Sequence, residues 1–164
     1  MNPALAAGEA ARRILAEVRR QPALRVPLDD ALDSVLAEDI VSPLDIPPWA
    51  NSAMDGYAVR GDDVAGASPE RTVRLPVVEH IPAGAFPTRS LGPGESARIF
   101  TGAPVPEGCD TVVRQEDTDL GAERVTIVSD RDRRSNVRPA GEDIRRGATV
   151  LSAGAVLGAA QLGV

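Results

Sequence analysis

The chain has 164 residues, 43% of them apolar, enough to bury one sizeable core or two small ones. A formal net charge of -6 and a pI near 4.8 exclude nucleic acid as the main partner, because phosphate binding needs a basic face. All 18 basic residues are arginine, which excludes a Schiff-base or phosphate-loop lysine within these residues.

In chain order, Pro3 to Arg20 is predicted as an amphipathic helix, with Ala7, Ala11, Ile14, Leu15 and Val18 at helical spacing. Arg19 and Arg20 fall in its last turn, where they suit the helix dipole, and Pro22 stops it. Leu24 to Val26 reads as extended. Leu28 to Ala37 reads as a second helix, with Asp29 and Asp30 in its first turn and Leu28, Ala31, Leu32, Val35 and Leu36 on its buried face. Ile40-Val41 reads as strand, and Pro43, Pro47 and Pro48 force extended backbone after it.

From about Leu75 to Val128 the pattern is β. Val73, Leu75 and Val77 alternate, and Leu91-Gly92-Pro93-Gly94 is a turn before a strand at Ser96 to Phe100. Thr111 to Val113 and Arg124 to Val128 flank the turn-like Asp119-Leu120-Gly121, which predicts a hairpin between them. Thr149 to Leu151 is a last strand, and Gly158 to Val164 opens a helix inside which the chain stops, as expected of part of a longer protein.

The lone Cys109 permits no intrachain disulfide, and with a single histidine, His80, the chain cannot build a Cys/His zinc site. No apolar run is long enough to span a membrane and the N-terminus lacks a signal-peptide stretch, so no membrane partner and a cytoplasmic location are expected.

Three loops carry possible chemistry. Asn51 to Val59 reads Asn-Ser-Ala-Met-Asp-Gly-Tyr-Ala-Val, and Asp-Gly fits a tight turn in which Gly56 takes positive φ and holds Asp55 at an exposed corner. Taken alone, this is a turn whose aspartate bonds its own backbone; as a site, it is a carboxylate fixed on a rigid loop. Thr101 to Gly108 offers a hydroxyl beside Gly102 and backbone N–H groups able to meet an oxyanion, or else it is a proline-stiffened β-connection. Asn136 to Asp143 places Glu142 and Asp143 after a glycine, where carboxylates can bind Mg²⁺ or simply face water.

The wording and order of these loops resemble the molybdopterin molybdenumtransferase (MoeA) family, whose animal relative is the E domain of gephyrin. The matching stretches are Ser42 to Pro47, Asn51 to Val59, Thr101 to Cys109, Val113 to Glu116, Asn136 to Arg138 and Gly141 to Ile144. The resemblance implies an α+β, mostly β fold: an irregular, barrel-like β domain at 41–147, inserted into a small α/β domain formed by 23–40 and 148–164, with an N-terminal helix at 1–22. It implies insertion of molybdate-derived molybdenum into adenylylated molybdopterin, with release of AMP, Mg²⁺ as cofactor and a homodimer in the full-length protein. By residue match, it places Asp55, Thr101 and Asp143 at catalytic positions. Ser52, Gly102 and Arg138 are expected to contact the cofactor moiety, and Asp55 and Asp143 to hold Mg²⁺. Full-length members carry two further domains, including the third, which binds molybdopterin, so this chain by itself is expected to be inactive. The competing expectation is a non-catalytic dimerisation and scaffold module of the gephyrin type. A metal hydrolase built on Asp55, Asp143 and His80 is the weakest reading, because nothing in the spacing brings the histidine near the acids.

Overall fold

The computed structural model describes residues 6–19 and 21–164, which form two compact units, Met1–Ile40 with Leu151–Val164, and Val41–Val150. The fold is mostly β with few helices.

The first unit opens with α1 (Ala7–Glu17), which buries no residue: Ile14, Leu15 and Val18 remain about two-thirds exposed. Its polar side is tied locally, with Arg12 and Arg13 reaching Glu9 at 2.6 and 2.8 Å. The helix ends at Glu17 because Val18 turns to extended backbone, so Arg19 lies beyond the last turn; the predicted ends at Pro3 and Arg20 lie outside the described residues. The predicted second helix does not form. A single 3₁₀ turn covers Leu28–Asp30, Asp33 adopts a left-handed φ of 61°, and the following amides find partners elsewhere. The Asp33 N–H donates to Leu157 O and the Leu36 N–H to Ala155 O, both at 2.8 Å, and Val35 bridges Val156. Tertiary pairing thus takes the backbone groups that a helix would have used internally, and Leu28, Leu32 and Val35 stay exposed. Leu24 to Val26 carries no ladder.

The strands in chain order are β1 (Ile40–Val41), β2 (Asn51–Ser52), β3 (Gly56–Val59), β4 (Val73–Ile81), β5 (Ser96–Ile99), β6 (Thr111–Arg114), β7 (Arg124–Ile127), β8 (Val137–Arg138) and β9 (Thr149–Leu151), followed by one helical turn, α2 (Ala159–Leu162). β1 pairs with β9 and β2 with β8, and a five-stranded sheet runs β6-β3-β5-β4-β7. The β4–β5 pair is parallel and the other pairs of that sheet are antiparallel. The predicted β6–β7 hairpin is therefore absent: the two strands form opposite edges of the sheet. A 3₁₀ turn at Gln115–Asp117 redirects the chain after β6, and each strand takes a partner distant in sequence, β3 for β6 and β4 for β7.

Both faces of this sheet are covered, which explains why β3 is buried at every position. Tyr57, Val59, Leu75, Val113, Val125 and Ile127 pack with Val64 on one side. Ala58, Ile81, Leu91, Ala97, Ile99 and Val112 pack with Ala103 on the other. Aromatic side chains contribute only Tyr57 to the fully buried set, so branched aliphatics and alanine fill the interior.

Candidate functional site

The three loops singled out by the sequence meet at β2. On one side Asn51 and Ser52 are in register with Arg138 and Val137 of β8. On the other, the Ser52 N–H donates to Ala103 O at 2.9 Å and the Gly102 N–H to Ser52 O at 2.8 Å. The Ala53 N–H continues the pattern to Asn136 O at 2.9 Å. This two-residue strand fixes the loops at 101–105 and 136–143 to the segment that leads into Asp55. Asn51 is buried, and its Oδ1 carries no hydrogen bond among the described residues.

Asp55 sits in the bend between β2 and β3 and is half-buried. Its Oδ1 accepts from both the backbone N–H and the hydroxyl of Thr101, each at 2.8 Å, while Oδ2 takes no partner among the described residues. The Thr101 amide, then its hydroxyl, hold the carboxyl below the usual carboxylate range, and the nearby Arg98 charge adds to this. Asp55 is therefore ionised at neutral pH, with one oxygen pinned and one presented. The bend is not the predicted positive-φ turn. Gly56 opens β3 without positive φ and is required for another reason: a Cβ there would lie 1.9 Å from Val113 O of the adjacent strand. Positive φ belongs instead to Gly102, at 83°, in the turn closed by the Ala103 N–H on Phe100 O.

Around Thr101 the second loop does not offer an oxyanion nest. The N–H groups of Thr101, Gly102, Ala103 and Val105 are all spent on Asp55 Oδ1, Ser52 O, Phe100 O and Ala50 O. The hydroxyl of Ser52 is likewise internal: the residue is 1% exposed and donates to Met54 O. Ser52 thus belongs to the framework of the bend, whereas Gly102 is exposed and spends only its N–H on it.

On the third loop, Arg138 engages both acids. Nη2 reaches both oxygens of Asp143 at 2.8 Å, and Nε pairs with Glu142. Glu142 and then Asp143 raise the Arg138 pKa. The three charges are partly or fully exposed, so the cluster orders the loop more than it stabilises the fold.

The expected Mg²⁺ ligand pair fits only in part. Both Asp143 oxygens are engaged by a guanidinium, and no group of three His, Cys, Asp or Glu that could hold an ion occurs among the described residues. Asp55 Oδ2 fits as one ligand of an ion whose other ligands are substrate oxygens and water. His80 lies edge-on to Phe100 at 5.3 Å and joins no acid cluster. A cavity of about 1040 Å³ belongs to the first unit and is lined chiefly by apolar side chains such as Leu24, Leu36, Leu157 and Leu162.

Sequence reasoning assigns no role to Arg98, yet it is the best-anchored cation beside Asp55. Its Nη1 donates to Gly56 O at 3.1 Å and its Nη2 to Gln115 Oε1 at 2.7 Å. Its guanidinium carbon lies 5.0 Å from the Tyr57 ring centre and 4.7 Å from that of Phe100. The i, i+2 spacing of Arg98 and Phe100 is the only local hint; the register with Tyr57 comes from the sheet.

Comparisons with known proteins bear on the family and the fold. The family described as the MoeA N-terminal region (domain I and II) matches residues 5–164. Molybdopterin molybdenumtransferase 2 of Mycobacterium tuberculosis is 44% identical over 155 residues, 93% of this chain and 38% of that protein. The molybdopterin molybdenumtransferase of Synechococcus elongatus is 42% identical over 144 residues, 86% of this chain and 36% of the relative. A crystal structure of the molybdopterin biosynthesis MoeA protein of Pyrococcus horikoshii superposes with a TM-score of 0.82 at 35% identity, covering 94% of this chain and 40% of the other. The chain thus spans about two fifths of the length of these relatives. With a family match running from residue 5 to the last residue and a shared fold, the chain belongs to the MoeA family, to its N-terminal region of domains I and II.

Proposed function

We propose that this chain supplies the Asp55 side of a composite site that inserts molybdenum into adenylylated molybdopterin, with molybdate as the metal source and AMP as the leaving product. The observation that carries the reading is the asymmetry of Asp55, with Oδ1 held twice by Thr101 and Oδ2 free. Molybdate is a dianion, so a carboxylate is not its direct ligand. Asp55 Oδ2 instead accepts a hydrogen bond from a water or a substrate hydroxyl and orients it. Thr101 keeps the carboxylate ionised and aimed. Arg138 holds Asp143 on the loop that β8 ties to the same two-residue strand. Mg²⁺, when bound through Asp55 Oδ2 and substrate oxygens, would supply neutralisation of phosphate charge. The remainder of the site comes from outside residues 1–164, in a cytoplasmic homodimer of the full-length protein, so the chain alone turns over no molybdate.

The test is Asp55→Asn in the full-length gene product. Asparagine keeps an Oδ1 acceptor for Thr101, so the melting temperature stays close to that of the parent. Molybdenum insertion falls by ~100–1000-fold, the range seen when one preorganised electrostatic group is removed. Parent-level turnover in a folded variant would sink the reading and favour a scaffold module in its place.

A further inference from the structure

Arg98 is a charged side chain that the structure holds from four sides, and the proposed chemistry leaves it unused. It sits in the middle of the sheet, in register with Tyr57 of β3 on one side and His80 of β4 on the other. Its guanidinium lies over two aromatic rings, Tyr57 at 5.0 Å and Phe100 at 4.7 Å. Tyr57 is itself fixed, being 1% exposed with its hydroxyl donating to Gly121 O at 3.1 Å. An arginine placed only for solubility would extend into water. This one instead spends two donors on acceptors that flank the Asp55 bend.

Those acceptors have a common target. Gly56 O, at 3.1 Å from Nη1, belongs to the residue after Asp55. Gln115, whose Oε1 accepts from Nη2 at 2.7 Å, donates its own backbone N–H to Asp55 O at 3.0 Å. Phe100, the second of the two rings, precedes Thr101, which holds the Asp55 carboxylate. One guanidinium therefore links the Gly56–Tyr57 peptide, the residue that grips the Asp55 carbonyl, and the strand end that presents Thr101.

We propose that Arg98 is a positioning residue: a clamp, held over Tyr57 and Phe100, that sets the Gly56 carbonyl and the Phe100–Thr101 strand end in the relation that lets Thr101 pin one Asp55 oxygen and present the other. The inference rests on Asp55 being a site residue, as argued above. A planar fork is needed for this task, because a single ammonium cannot reach the Gly56 carbonyl and the Gln115 amide at once while stacking on two rings.

The experiment uses the full-length gene product with Arg98→Met, Arg98→Lys, Gln115→Met, Asp55→Asn and the Arg98→Met/Asp55→Asn double variant. Steady-state molybdenum insertion is measured against molybdate, and the Thr101 amide proton is followed by NMR. Arg98→Met is expected to lower kcat by ~10–100-fold with KM for molybdate within about threefold, the pattern of a misplaced reacting group. Arg98→Lys restores little of it. Gln115→Met removes one of the two anchors and costs less; it also serves as the readout should Arg98→Met fail to fold. In the Asp55→Asn background Arg98→Met adds no further loss, because the two act as a unit. The Thr101 amide proton shifts upfield in Arg98→Met as its bond to Asp55 loosens. Parent kcat and an unmoved Thr101 amide in Arg98→Met would overturn the clamp, as would a full additional loss in the double variant. Parent activity in Asp55→Asn overturns the proposed function instead, and the Thr101 amide then decides the clamp by itself.

Discussion

At the scale of single residues, environment separates side chains that the sequence presents alike. Asp55, Asp132 and Asp143 are all loop aspartates, yet one is pinned by Thr101, one is 3% exposed beside Arg114 and one lies exposed under Arg138. Cys109 follows the same logic. Burial first, then the charges of Asp110 and Asp63, push its thiol up to about 12. Against the ordinary thiol value of 9.0, that reduces the thiolate fraction at neutral pH by ~1000-fold. Cys109 is thus expected to react with iodoacetamide at pH 7.5 more slowly than free cysteine by about that factor. Modification at the free-thiol rate would show that the residue is not buried as described.

At the scale of elements, close backbone approach decides more than local turn chemistry. β3 is pressed between β5 and β6, and a Cβ on Gly56 would meet the Val113 carbonyl at 1.9 Å and the Arg114 Cα at 3.1 Å. These are backbone atoms of a buried strand and have little room to retreat. Gly56→Ala is expected to lower stability by ~2–3 kcal/mol or more, the cost of overpacking a filled interior, read as a drop in the urea midpoint at constant m. An unchanged midpoint would mean that β3 and β6 lie farther apart. α1 shows the opposite condition. Its apolar stripe of Ile14, Leu15 and Val18 is exposed, so helical spacing alone provides no burial to hold it.

At the scale of the whole molecule, stability depends on a few charged ties between segments far apart in sequence. Asp132 is the most buried acid. Burial pushes its carboxyl up, but the Arg114 guanidinium and amide outweigh that and hold it below its ordinary value of 3.8. The unfolded chain then binds a proton more readily than the folded one. The stabilisation is complete above about pH 5 and lost as pH falls below 3.8 through the lower folded-state value. Asp132→Asn is expected to cost ~2 kcal/mol at pH 7, about 5 °C in melting temperature, with the gap to the parent closing as pH falls below 3.8. A gap independent of pH would assign the loss to shape rather than charge.

The sequence by itself determined that this chain is a mostly β member of the MoeA family. The alternation of Val73, Leu75 and Val77 and the β-branched run Thr111 to Val113 are legible as strands because such residues fit a pleated surface, and strands form at Val73–Ile81 and Thr111–Arg114; the strands expected at Ser96 to Phe100, after a turn, and at Thr149 to Leu151 form at Ser96–Ile99 and Thr149–Leu151. The loop motifs, read in order, were enough for the family. The pairing of β6 with β3 and of β7 with β4 was decided only by tertiary structure, because strand partners depend on burial across the sheet and not on separation along the chain. The same holds for the lost helix at Leu28, whose amides went to Leu157 and Ala155. Asp55, Thr101 and Asp143 were legible as polar residues on loops, but their use was not. That Thr101 holds Asp55, that Arg138 occupies Asp143, and that Arg98 reaches the Asp55 bend from within the sheet follow from contacts spanning 46, 5 and 42 positions. The two longer of these exist only once the sheet has closed, whereas the Arg138–Asp143 pair needs only the turn of its own loop.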